Sequence, residues 1–294
     1  MSARSAPSAA SAGTLYVVAT PIGNLGDLSP RAREVLGSVQ LIAAEDTRHT
    51  GQLLHGCGIG TPLISLHEHN ETHRVEQLVT RLAGGESIAL VSDAGTPLIS
   101  DPGFALVAAA RSASIAVVAV PGPCAAIAAL SIAGLPASRF AFEGFLPAKA
   151  AARRRELELL VREPRTLIFY EAPHRLAETL EDMAQVFGST RTAVVARELT
   201  KRFETVYAGD LARLRAQARD DPDMVRGELV IVVAGEPEGT NAQTTIDTER
   251  LLRALLEDLP PAQAAKIAAR ISGEKRSELY DRAVRLGAKG AAET

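Results

Sequence analysis

The stretch LYVVATPIGNLGDLSPRA (residues 15–32) decides how the rest of the chain is read. Residues 15–20 are mostly apolar at consecutive positions, the pattern of a strand buried on both faces. A turn containing Pro and Gly follows. Ser29 then stands directly before Pro30, a pair suited to capping and starting a helix. The same succession recurs downstream. Strand candidates at 41–45, 63–66, 87–93 and 115–121 are separated by helix candidates such as 72–82. There Val75, Leu78, Val79 and Leu82 fall at helical spacing, and Gly84-Gly85 end the run. This alternation predicts an α/β fold with a mainly parallel N-terminal sheet.

A second block begins near Ala137. Its strand candidates are 140–145, 166–172, 192–200, 204–208 and 228–234, with helices at 150–161, 173–187 and 211–219. Strands that follow one another directly through 192–208 predict a mixed sheet. The polar stretch between Gly235 and Thr245 reads as a linker. Helices at 248–259, 261–271 and 274–286 form a small unit beyond it, with Ser272-Gly273 as a short turn of helix-turn-helix type. The expected organisation is a disordered tail (1–13), an N-terminal lobe (14–136), a second lobe (137–236) and a helical tail domain (246–290).

Composition narrows the function. The net charge of −3 over 294 residues gives no global basic field, so a nucleic-acid surface must be local. Cys57 and Cys124 are distant and lack metal-ligand spacing, which argues against a disulfide framework or zinc site and fits a reducing cytosol. Residues 1–13 are rich in Ala and Ser and do not form a signal peptide. Residues 112–138 lack charge and are long enough to suggest a membrane span. Pro121-Gly122-Pro123 in their middle instead predicts a buried strand, a tight turn and a buried helix.

Three turns carry the chemistry: residues 19–25, 92–97 and 120–125. Each follows a strand, and in a parallel sheet all three lie at the carboxyl ends, where ligands bind. Gly and Pro there fix the backbone and let a ligand come close. No phosphate-binding GxxxxGK[ST] motif and no GxSxG elbow is present. The glycine-rich residues 56–60 lack GxGxxG spacing and read as a loop.

The phrases VATPIGNLGDLSPRA (18–32), AAEDTRHT (43–50), LVSDAGTPLISDPG (90–103), PGPCAAIAAL (121–130), FEGFLP (142–147) and FYEAPHR (169–175) resemble the ribose 2'-O-methyltransferases of small-subunit ribosomal RNA. These belong to the tetrapyrrole methylase superfamily. The resemblance spans about residues 15–235. It implies a bilobal fold, S-adenosylmethionine held between the lobes, a cytoplasmic homodimer, and methylation of a cytidine ribose in 16S rRNA at the decoding centre, on naked rRNA or the assembled small subunit. It puts cofactor contacts on Pro21, on Asp93, Ala94, Gly95, Thr96, Pro97, Ile99 and Ser100, and on Pro123, Cys124 and Ala125. From the second lobe it adds Tyr170, Glu171, Ala172, Glu198, Leu199 and Thr200. Ser100 stands where the family pattern has Asn.

Methyl transfer needs alignment and electrostatics from the protein, and a ribose hydroxyl benefits from an acceptor for its proton. The candidates are Glu45 and Asp46 after the second strand, His69 after the third, and Asp93; alternatively, the acidic groups and Arg48 pair to hold the loops. His67 and His69 at alternate positions, with no third ligand, are weak metal candidates, and no metal is expected. RNA contacts are assigned to Arg48, to Lys149, Arg153, Arg154 and Arg155 around one helix, and to Lys275 and Arg276 in the basic tail. A solvated helix face and a packing cap are the plainer alternatives for the last two groups. Beside the rRNA methyltransferase stand two other readings: a methylase of tetrapyrroles or other small molecules, and a non-catalytic RNA-binding assembly factor.

Overall fold

The computed structural model describes residues 12–67, 70–237 and 248–290. The chain forms two compact units that divide after Glu236.

The first unit begins with β1 (Thr14–Val18), α1 (Pro30–Ser38), β2 (Leu41–Ala44), α2 (Thr47–Cys57), β3 (Leu63–Ser65), α3 (Glu71–Ala83), β4 (Ile88–Val91), α4 (Phe104–Ser112) and β5 (Ala116–Val120). The strands pair in the order β3-β2-β4-β1-β5, parallel throughout. Every residue of β2 and β4 is buried, because helices cover both faces. Ile42, Ala44, Ala89 and Val91 pack with Leu36 of α1 and Leu54 of α2. Leu41, Ala43, Ile88 and Leu90 pack on the other face with Leu78 and Leu82 of α3 and Leu106 of α4. Ser29 caps α1 through the Ala32 amide, with Pro30 in the first turn.

After α5 (Ala125–Ile132) the chain builds a second sheet from β6 (Phe140–Phe145), β7 (Thr166–Glu171), β8 (Thr192–Arg197), β9 (Thr205–Asp210) and β10 (Leu229–Val233). Their order is β6-β7-β10-β8-β9, and only β6 and β7 run parallel. Helices α6 (Ala150–Leu160), α7 (Leu176–Phe187) and α8 (Leu211–Asp220) cover one face. The strand period of two separates the faces of β10. Leu229, Ile231 and Val233 join the α6–α8 core, whereas Val230 and Val232 meet α5 and Ile22 of the β1 turn. That second contact welds the sheets together. Each aliphatic side chain buried there contributes about 1.5–3 kcal/mol.

Local readings differ in two places. Gly56 and Cys57 belong to α2 rather than to a loop; the helix is capped by Asp46, and Gly58 ends it in the left-handed conformation (φ 69°). Strand β8 stops at Arg197, because Glu198 and Thr200 turn to positive φ. Residues 112–138 form the end of α4, then β5, a Pro-Gly-Pro turn and α5. Among the described residues no helix is long and apolar enough to cross a membrane.

The second unit holds α9 (Thr248–Asp258), α10 (Pro261–Ser272) and α11 (Arg276–Gly290). Leu252, Ala264, Ala265, Ala268, Leu279 and Ala283 fill its core, the small alanines letting the helices approach closely. Gly273 closes α10 at φ 75°.

One assigned RNA contact is corrected here. Arg153 of α6 is 1% exposed. Its Nε donates to Asp182 Oδ2 of α7 at 2.7 Å, Nη2 reaches Glu178 at 3.4 Å, and Nη1 donates to the Ala148 carbonyl at 3.3 Å. The guanidinium is an interior strut and cannot meet a phosphate. Arg154 is half-exposed but also donates to Asp182, at 2.8 Å. Removing one partner of a buried ion pair leaves the other charge uncompensated, so Asp182→Ala should cost about 3–5 kcal/mol. Arg153→Met combined with Asp182→Leu should recover most of that loss, as read by urea denaturation.

Candidate functional site

Because β4, β1 and β5 are neighbours, the turns that leave their carboxyl ends lie side by side. Backbone bonds stitch them together. Thr20 N donates to Gly95 O at 2.9 Å, and Gly95 N returns to Thr20 O at 3.1 Å. Ala19 N donates to Val120 O at 3.1 Å, and Thr96 Oγ1 to Pro123 O at 2.9 Å. Gly95 sits at φ 82°, where a Cβ would come within 3.2 Å of Ile22.

The second lobe faces these turns. The Tyr170 hydroxyl accepts the amide of Ala126 at 3.2 Å, and its ring packs edge-on against Phe142 and Phe145. Burial raises the phenol's pKa. Glu198 sits in left-handed backbone (φ 51°) and accepts from the Glu228 amide at 2.8 Å and Lys201 Nζ at 2.9 Å. Burial raises its pKa, yet these bonds and the nearby cations outweigh it and lower the net value. Gly227, at φ 77°, lies so close to the Glu198 carboxyl that a Cβ would collide with it. Four of the five non-glycine residues with positive φ among the described residues are Leu98, Ser100, Glu198 and Thr200, all in these loops. Such strain persists where surrounding structure over-determines the backbone.

Between the lobes lies a cavity of about 410 Å³. Asp93, Ala94, Gly95, Thr96, Ile99, Ser100, Ala125, Tyr170, Glu171, Ala172 and Leu199 line it, all assigned from sequence. Pro97, Pro123, Cys124, Glu198 and Thr200 do not; they shape or brace the lining loops. Pro21 faces a second, smaller cavity instead. Sequence reasoning missed Ile22, Asp101, Phe145, Pro173, Ala196, Gly227, Glu228, Leu229 and Val230. Asp101 stood inside a quoted phrase, as did Ser92, which bonds to it, but its closeness to Glu45, 56 residues earlier, could not be inferred. Gly227 and Val230 carry only the ordinary signal of a turn and a buried strand.

The acidic candidates divide by role. Glu45 and Asp93 both line the larger cavity. Asp93 Oδ1 accepts the Asp46 amide at 2.9 Å. Asp46 caps α2 and holds Arg48 in a fork, at 3.1 Å to Nε and 2.7 Å to Nη2. The Arg48 bonds lower the Asp46 pKa. Asp46 is thus a bracing group, absent from the lining of either cavity. His69 lies outside the described residues. His67 shares a bond with Asn70, whose Oδ1 accepts the His67 amide. Arg48 is exposed although forked onto Asp46, Lys149 precedes α6, Arg155 is exposed, and Lys275 stands 3.9 Å from Glu278. Arg276 opens α11.

Asp101 is half-buried beside Glu45 and Asp93. Burial pushes its pKa up to about 6, against a bond from Ser92, and the two neighbouring carboxylates add to the rise. Its folded pKa exceeds the unfolded value of 3.8, so ionisation opposes folding. The stability penalty builds as pH rises from about 4 to about 6 and is complete above that window. Asp101→Asn should therefore raise the melting temperature at pH 8 by clearly more than at pH 4.5, as read by thermal denaturation.

Comparison with known proteins places this geometry. The profile of the Tetrapyrrole (Corrin/Porphyrin) Methylases matches residues 14–215, and that of the RsmI C-terminal HTH domain matches residues 242–287. A relative from Xylella fastidiosa (strain Temecula1), named Ribosomal RNA small subunit methyltransferase I, is 61% identical over 268 residues, covering 91% of this chain and 98% of that protein. One of the same name from Pseudomonas aeruginosa is 56% identical over 283 residues, covering 95% and 99%. The crystal structure of uroporphyrin-III-C-methyltransferase from Thermus thermophilus superposes with a TM-score of 0.53 at 23% identity, covering 76% of this chain and 94% of that one. The parallel sheet and the mixed sheet are held in common with that fold, and the chain belongs to the tetrapyrrole methylase family, in the branch that carries the RsmI C-terminal domain.

Proposed function

We propose that this protein is an S-adenosylmethionine-dependent methyltransferase of small-subunit ribosomal RNA, acting in the cytoplasm on the 2'-hydroxyl of a cytidine in 16S rRNA. The observation that carries the reading is identity above half over nearly full length with relatives of that name, the C-terminal helical unit included. A methylase of tetrapyrroles would share the two lobes but does not account for that identity or for the basic tail.

The larger cavity fits the cofactor. Its volume lies in the range of small-ligand pockets. Ile22, Ile99, Leu199 and Val230 supply apolar walls, and Glu45, Asp93 and Asp101 supply negative charge suited to a sulfonium. Gly95 and Ala94 let the backbone come close to a ligand. When bound, S-adenosylmethionine supplies the electrophilic methyl group. The residues of this chain have to orient the acceptor hydroxyl and hold its proton. Glu45 and Asp93 are the carboxylates assigned from sequence as proton acceptors that line the site.

RNA contacts are assigned to Arg48, Lys149, Arg154 and Arg155, and to Lys275 and Arg276 of the tail; phosphate neutralisation by such groups makes binding salt-dependent. The reading includes self-association, most simply as a two-fold pair, the commonest closed symmetry of soluble proteins.

The test is methyl transfer from S-adenosylmethionine to 16S rRNA and to assembled small subunits, with mass mapping of the ribose. Transfer to one cytidine is expected; transfer to a porphyrinoid and to no RNA would replace the reading. Gly95→Arg should abolish cofactor binding in calorimetry, because the side chain would occupy the cavity. Light scattering should give about twice the 31.0 kDa of one chain; a monomer at micromolar concentration would rule out the pair.

A further inference from the structure

The smaller cavity, about 300 Å³, is lined by Pro21, Gly23, Leu25, His49, Gln52, Leu53 and Asp93. Two features tie it to the larger one. First, the β1 turn forms a partition: Pro21 and Gly23 face the smaller cavity, while Ile22 between them faces the larger. Second, Asp93 is the one residue among those lining either cavity that lines both. Its carboxylate therefore stands at the junction, anchored through Oδ1 by the amide of Asp46.

The chemistry of the smaller cavity is that of a nucleoside site. Pro21, Leu25 and Leu53 offer apolar surface for the face of a base. His49 and Gln52, one turn apart on α2, offer a ring nitrogen and an amide able to donate and accept. A cytosine edge presents one amino donor beside ring-nitrogen and carbonyl acceptors, which an amide side chain can match. Enzymes that do chemistry on a base take it out of the stack and read it in such a pocket, and reading a base while its own ribose reacts calls for the same extrusion. The partition is braced from the second lobe. A Cβ on Gly23, at φ 148°, would run into the Lys201 stem, whose ammonium holds Glu198 at 2.9 Å and Glu228 at 3.2 Å.

We infer that the acceptor nucleoside enters this smaller cavity, its base between Leu25 and Leu53 and read by Gln52 and His49, and that its ribose hydroxyl meets Asp93 at the junction. This rests on the methyltransferase reading above and names the substrate subsite within it. The acceptor O–H bond breaks as its oxygen bonds to the methyl carbon; the proton goes to the Asp93 carboxylate, and the electron pair of the severed carbon–sulfur bond stays on sulfur.

Base reading is tested first without cofactor, on the full chain. Wild type, Gln52→Ala and Leu53→Arg are titrated with a 16S rRNA fragment carrying the target cytidine and with the same fragment carrying uridine there. A lost base contact of ordinary strength gives wild type a preference for cytidine of roughly tenfold. Gln52→Ala should reduce it to about twofold or less, and Leu53→Arg should abolish it by filling the cavity. Both variants should bind S-adenosylmethionine in calorimetry as wild type does. Asp93→Asn should keep the cytidine preference while methyl transfer falls by roughly a hundredfold or more. Unchanged cytidine preference in both α2 variants would overturn the assignment, since Gln52 is exposed and its truncation leaves the fold intact. Loss of cofactor affinity in the α2 variants would overturn it too, by showing the smaller cavity to be part of the cofactor site. If wild type transfers methyl to rRNA but the variants behave as wild type, only the subsite is wrong. If wild type transfers to no rRNA, the functional reading and the subsite both fall.

Discussion

Everything at the cleft depends on the paired backbone bonds between Thr20 and Gly95. A parallel sheet ends in unpaired peptide groups, and buried ones must find partners. Here two turns from adjacent strands satisfy each other, and Thr96 fastens the third turn through the Pro123 carbonyl. Gly95 is necessary because its φ of 82° is one that side chains rarely adopt, and the space that a Cβ would take is already tight against Ile22. This edge of the cavity is therefore backbone held largely by backbone, on which the apolar side chains of the wall are mounted.

From that fixed point, order passes outward in both directions. Asp93, next to the bridge, bonds the Asp46 amide, so the capped start of α2 is tied to the β4 turn. Ile22 points the other way and joins the apolar layer of α5, β7, β8 and β10. Tyr170 and the Glu198–Lys201–Glu228 cluster complete the second wall. A half-buried Asp101 beside two other carboxylates is expensive for the fold, and its place in the wall of the cleft is where such cost is commonly retained for chemistry.

Most of the architecture was legible because parallel strands announce themselves as continuous apolar runs and because Ser29-Pro30 and Gly84-Gly85 mark helix ends. The three turns were legible as a set, since neighbouring strands in a parallel sheet bring their carboxyl ends together. Residues whose role depends on long-range pairing were not. Arg153 looks like its neighbours Arg154 and Arg155 in sequence, and only the position of Asp182 across the helix pair makes it interior. Gly227 matters through Glu198, 29 residues earlier, and Asp101 through Glu45, 56 residues earlier, besides Ser92 and Asp93 of its own loop. The α2 helix was hidden by its glycines, Gly51, Gly56 and Gly58, which lower helical propensity although the Asp46 cap and the buried Thr50 and Leu54 face support it.

The strand order β3-β2-β4-β1-β5 has a consequence for the protein's birth on the ribosome. Strand β1 is made first, yet both of its neighbours, β4 and β5, come late, ending at Val91 and Val120. During synthesis this largely apolar strand has no local partner to pair with, because no hairpin joins it to a neighbour before the crossover. The sheet can close only after β4 has been inserted between β1 and β2, an arrangement of high contact order that folds slowly. The emerging chain thus carries an unpaired β1 for about 70 residues of elongation, which at ordinary synthesis rates is several seconds of exposure to nascent-chain chaperones.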